Sequence, residues 1–115
     1  MRYFRVMSET EWATVSRSRV ITRSSGDWAP YQPDEVVFLW GRLASMKRVL
    51  ECAEDLQQKV KCPAVLVTFD MSHAVEEDKS GWGSEGAVVY RGDLLESATR
   101  GGFKLACTFP YSSDE

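Results

Sequence analysis

The sequence predicts an α+β fold: a split or mixed β-sheet of about five strands, with two helices packed on it, in a single domain spanning 1–115. Three observations carry this. Short runs rich in Val, Phe and Leu recur at strand length along the chain. One central stretch repeats apolar residues at steps of three and four, the signature of an amphipathic helix. The element order reads β-α-β-α-β-β-β, which suits helices packed on a sheet better than strict alternation around a parallel one.

The elements follow in order. Tyr3 to Met7 reads as a strand, its aromatic and branched residues favouring the pleat. Ser8 then caps a helix, and Glu11 three places on completes a capping box. Trp12 and Val15 belong to the turns that follow. Ile21 to Asp34 is a loop, because Ser24-Ser25-Gly26-Asp27, Pro30 and Pro33 continue neither helix nor central strand. Glu35 to Trp40 is a strand apolar on both faces, so it belongs in the middle of the sheet. Leu43 to Lys61 is the clearest helix, with Leu43, Met46, Leu50, Ala53, Leu56 and Val60 on one stripe. Pro63 stops it, and Ala64 to Phe69 is a second buried strand.

Asp70 to Glu85 reads as a long polar loop, and Ala87 to Arg91 as the next strand. A short helical piece is expected around Leu94 to Ala98, broken by Gly101-Gly102. Phe103 to Phe109 alternates apolar and other residues, as a half-exposed strand does.

Composition bounds the function. The chain has 115 residues, 43% hydrophobic and 27% charged, with a net charge of −3. Its pI near 5.2 argues against broad attraction to nucleic acid, so a nucleic-acid partner is not expected. The longest uncharged apolar stretch, Cys62 to Phe69, is too short to cross a bilayer, so no membrane partner is expected either. Met1 to Arg5 lacks the apolar region of a signal peptide, which makes the cytoplasm the expected location. Cys52, Cys62 and Cys107 are odd in number and widely spaced, which reads as reduced, mostly buried thiols.

Several motifs invite a chemical reading. Gly81-Trp82-Gly83-Ser84-Glu85-Gly86 spells the glycine pattern of a dinucleotide-binding turn. That turn works by leading a strand into a helix whose N-terminus holds phosphate. Here the glycines follow a loop and feed a strand, so the dinucleotide reading is set aside. What remains is Trp82 on a glycine-rich loop and Glu85 at the mouth of a strand. Asp70, His73 and Glu76 to Asp78 lack the fixed spacing of a metal site, so no metal is expected. Arg91-Gly92-Asp93 reads as a turn.

One combination resembles a family. Tyr3-Phe4-Arg5-Val6 runs into the capped segment Met7-Ser8-Glu9-Thr10-Glu11-Trp12. Val37-Phe38-Leu39-Trp40, a helix, a buried strand and a glycine loop ending in Glu85 come after it. This order resembles small bacterial and phage domains of the ADP-ribosyltransferase-like fold. The resemblance implies NAD as cofactor, bound in a cleft between the first strand and the glycine-rich loop. By position it implies Arg5 on the pyrophosphate, Trp40 and Trp82 stacked on the nicotinamide, and Glu85 orienting the ribose. Arg5 and Glu85 would then be the catalytic pair of an NAD-dependent ADP-ribosyltransferase. Trp40 stands where the family has Tyr or Ser, the family's Ser-Thr-Ser element is absent, and Gly83 stands where one branch has a second glutamate. A copy of the scaffold with such gaps keeps the cleft and loses the reaction.

The alternative is a small non-catalytic protein-binding module: an inhibitor, immunity or regulatory protein. Its motivation is aromatic residues on loops, above all Trp28 and Tyr31, which would meet a protein partner as interface anchors do.

Overall fold

The first strand takes the centre of the sheet because its residues are buried on both sides: Tyr3, Arg5, Val6, Met7 and Ser8 are all inaccessible. The computed structural model describes residues 1–22, 36–41, 44–72, 76–77 and 86–111. In chain order the elements are β1 (Arg2–Ser8), α1 (Glu9–Ser18), β2 (Val20–Ile21), β3 (Val36–Trp40), α2 (Met46–Val60), β4 (Ala64–Asp70), β5 (Glu76–Glu77), β6 (Ala87–Arg91), β7 (Leu94–Leu95) and β8 (Arg100–Phe109). A 3-10 turn, Glu96–Ala98, separates the last two strands.

Six strands form one antiparallel sheet in the order β5-β6-β3-β1-β4-β8. The pair β2-β7 forms a separate ribbon. The α+β class expected from the sequence is therefore what the chain adopts, with more strands than expected. The additions are the two-residue pieces β2, β5 and β7, which carry too few residues to show a period of two.

Register decides which side chains share a face. Tyr3 pairs with Phe69, Arg5 with Val67 and Met7 with Val65 on one face. Phe4 pairs with Thr68 and Val6 with Leu66 on the other. The first face packs with Val15 of α1 and with Ile21 and Leu94 of the ribbon. The second packs against α2 through Val49, Cys52, Ala53 and Leu56, with Trp40 and Ala87 beside them. The sheet is thus a middle layer between a helix-and-ribbon layer and a single helix.

Both helices are capped as their sequences allow. Ser8 Oγ accepts from the Glu11 N–H at 3.0 Å, and Ser45 Oγ accepts from the Arg48 N–H at 3.1 Å. Arg19 and Lys61 end the two helices in the left-handed conformation, with φ of 62° and 56°. The helix expected from Leu43 begins at Met46, and its buried stripe differs from the expected one. Val49, Cys52, Ala53, Leu56 and Gln57 face the sheet, whereas Met46 and Leu50 are exposed, Met46 by 58%. Two stripes at steps of three and four overlap at Ala53 and Leu56, and the docking angle of α2 selects the one led by Val49.

The final strand also differs. It starts at Arg100, so Gly101 and Gly102 lie inside it, at φ of +87° and +83°. A register shift between Leu66 and Val67 leaves Ala106 as an extra residue. Leu105 then aligns with Val67 on the α1 face, and Cys107 with Leu66 on the α2 face. The expected one-sided alternation is lost at this bulge.

Candidate functional site

Arg5 sits in the middle of β1 and points to the face covered by α1. Its side chain is 1% exposed. Its Nε and Nη2 donate to Glu11 Oε2 at 3.1 and 2.9 Å, a two-nitrogen contact to one carboxylate oxygen. Glu11 is itself only 9% exposed. The chain achieves this locally: Ser8 ends the strand and caps the helix, which folds the third helical residue back over Arg5. The Glu9 N–H donates to the Pro63 carbonyl at 2.9 Å and holds the helix start against the entry to β4. A guanidinium with this burial and this partner is a fixed charge inside the strand–helix junction.

Trp40 ends β3 on the opposite face, paired with Phe4 of β1 and with Ala87 of β6. Its ring is buried, and the Arg48 guanidinium lies 5.6 Å from the ring centroid. Cys52 of α2 lies against it. Burial pushes the Cys52 thiol up from 9.0 to about 11, partly offset by a hydrogen bond with Trp40 and by the charge of Arg48. Arg5 and Trp40 therefore point to opposite faces of one sheet, and both are enclosed.

The backbone sets the strand ends around Trp40 side by side. Phe4, Trp40 and Ala87 lie side by side across β1, β3 and β6. The Gly41 N–H donates to the Gly86 carbonyl at 2.8 Å, so the chain enters β6 directly beside the end of β3. Glu85 is the next residue upstream in sequence. Glu85 itself, Trp82, Trp28 and Tyr31 lie outside the described residues.

Sequence reasoning missed the outer edge of β8. All five residues from Lys104 to Thr108 are exposed, Leu105 by 49%. Neither helix layer covers this five-residue stretch. Both ends of the stretch are closed by side chains. The Phe103 N–H donates to Glu96 Oε2 at 3.0 Å, and Gln57 Nε2 donates to the carbonyls of Phe109 and Pro110 at 2.8 and 3.0 Å. Between them, no described strand lies beyond β8. The signal in the sequence was the uncharged run Leu105 to Tyr111. Two open clefts, of about 530 and 450 Å³, flank the glycine end of the strand; Arg19, Glu96 and Gly102 line the first, Asp70, Thr99 and Arg100 the second.

Among the described residues, no group of three His, Cys, Asp or Glu side chains converges in a way that would hold a metal ion, and no helix is long and apolar enough to cross a membrane. No protein-family model, curated protein or solved structure matches this chain.

Proposed function

We propose that this chain is a small ADP-ribosyltransferase-like domain that works as a protein-binding module without catalysis. The element order supports the scaffold. The binding role rests on one observation: β8 presents five consecutive exposed residues that neither face of the sheet covers. An edge strand of this kind offers backbone donors and acceptors to a further strand. The enclosed Arg5–Glu11 pair weighs against catalysis, because the guanidinium that would hold a pyrophosphate is already engaged. Trp28, Tyr31 and Trp82 would add aromatic anchors to the module.

The test is the mass of the chain in a native lysate at physiological salt. A complex heavier than the 13.0 kDa chain that dissolves on Leu105→Glu supports the reading. Recovery as a free 13.0 kDa chain defeats it.

A second reading, NAD binding, is favoured by the alignment of Phe4, Trp40 and Ala87 and by the Gly41–Gly86 hydrogen bond at the entry to β6. Calorimetry with NAD decides it. A binding heat that is lost in Glu85→Gln would support the cofactor, and no heat at saturating NAD would remove it.

A further inference from the structure

We propose that the partner of β8 is a second copy of this chain, joined edge to edge through residues 104–109 about a two-fold axis. The inference rests on the protein-binding reading above and names its occupant. Four observations lead to it. Past Lys104, the exposed stretch is apolar or small on both faces: Leu105 lies on the α1 face and Cys107 on the α2 face. A helix or loop laid on one face would leave the other open, whereas an added strand covers both.

The run Leu105 to Tyr111 carries no charge, so it gives an acidic or basic peptide nothing to select. Self-pairing is also free of conflict. The bulge at Ala106 shifts the faces so that they match when the axis falls between Ala106 and Cys107. Leu105 then opposes Thr108 of the other copy on the α1 face, and Lys104 opposes Phe109 on the α2 face. No like charges meet. Finally, pairing about a two-fold axis occupies the same β8 edge on both copies, so the assembly closes at two.

Pairing over six residues spans about 20 Å, short for an interface, so the dimer is expected to dissociate in the micromolar range. Sedimentation equilibrium over a concentration series tests this on the full chain. The expected result is a reversible shift from 13.0 kDa to twice that mass. Two double variants test the register. Leu105→Glu with Thr108→Glu places like charges opposite each other and should weaken the dimer at least about tenfold. Leu105→Lys with Thr108→Glu alters the same positions but pairs opposite charges, and should retain the dimer. Circular dichroism of each confirms that the sheet is intact. Equal behaviour of the two folded variants would overturn the register and with it the proposal. A wild-type monomer at every concentration would also overturn it. A monomer whose Leu105→Glu form loses a different protein in the lysate overturns only the second-copy inference. A monomer with no β8-dependent partner overturns the protein-binding reading too.

Discussion

At the scale of single residues, two buried groups set measurable limits on the fold. The Arg5–Glu11 pair is enclosed on both sides. Removing one partner of such a pair leaves the other charge buried and alone, which costs roughly 3–5 kcal/mol. Glu11→Ala should therefore lower stability by about 3 kcal/mol in urea unfolding. The double change Arg5→Met with Glu11→Leu should restore most of the loss, since apolar replacements of both partners are often neutral. If the double variant is as unstable as the single one, the pair is held by more than its mutual charge.

Cys52 sets an alkaline limit. Its thiol is neutral in both folded and unfolded chains below pH 9, so it contributes no pH dependence there. Above that, the unfolded chain ionises first, because the folded thiol is pushed up to about 11. Stability should fall as pH rises from 9 towards 11, by up to about 3 kcal/mol. Cys52→Ala should flatten this limb of the curve, and a limb of unchanged steepness would show that other groups cause it.

Of these residues, the sequence made Ser8 and Glu11 legible as a cap, and in the structure Ser8 Oγ accepts from the Glu11 N–H. It could not show that the Glu11 carboxylate turns to Arg5. A strand alternates its faces, and only the docking of α1 decides which face an arginine at position 5 meets.

At the scale of elements, α2 shows how far periodicity reaches. The sequence located the helix and its stop, and set its start ahead of the first helical residue, Met46. The stripe through Met46 and Leu50 and the stripe through Val49 and Cys52 are separated by less than half a helical turn, so spacing alone does not choose between them. Packing against Trp40, Leu66 and Ala87 does. The consequence is testable. Leu56→Ala should cost about 2–5 kcal/mol, because its side chain is fully buried. Leu50→Ala should change stability by about 0.5 kcal/mol or less, because the side chain is exposed. Thermal unfolding of the two variants compares them directly, and equal losses would return Leu50 to the core face. The strand elements were read by their apolar runs, and the central ones were right. The edge pieces escaped because two-residue strands exist only through their partners, Val20 with Leu95 and Glu76 with Val89.

At the scale of the whole molecule, the sheet grades from a buried centre at β1 to an exposed edge at β8. β1 is flanked by β3 and β4, with all seven of its residues in register with β4. β5 and the β2-β7 ribbon hold two residues per strand. Amide hydrogen exchange should follow this grading, slowest in β1 and β4 and fastest in β2, β5 and β7. Exchange that is uniform across the sheet would mean that it opens only as one unit. The outer amides of residues 104–108 report on the partner of β8: protection there should rise with protein concentration. The candidate site was partly legible at this scale too. The sequence drew attention to Arg5, Trp40 and the entrance to β6, and the sheet does set their strands side by side. It did not reveal that the two side chains face away from each other, since that depends on the Phe4–Trp40 register.

The position of β1 shapes how this protein is made. The strand precedes both its neighbours in the chain, β3 beyond residue 35 and β4 beyond residue 63. Until Asp70 has left the ribosome, β1 waits without the seven-residue ladder that β4 supplies. Chaperone demand should therefore subside once β4 has threaded into place.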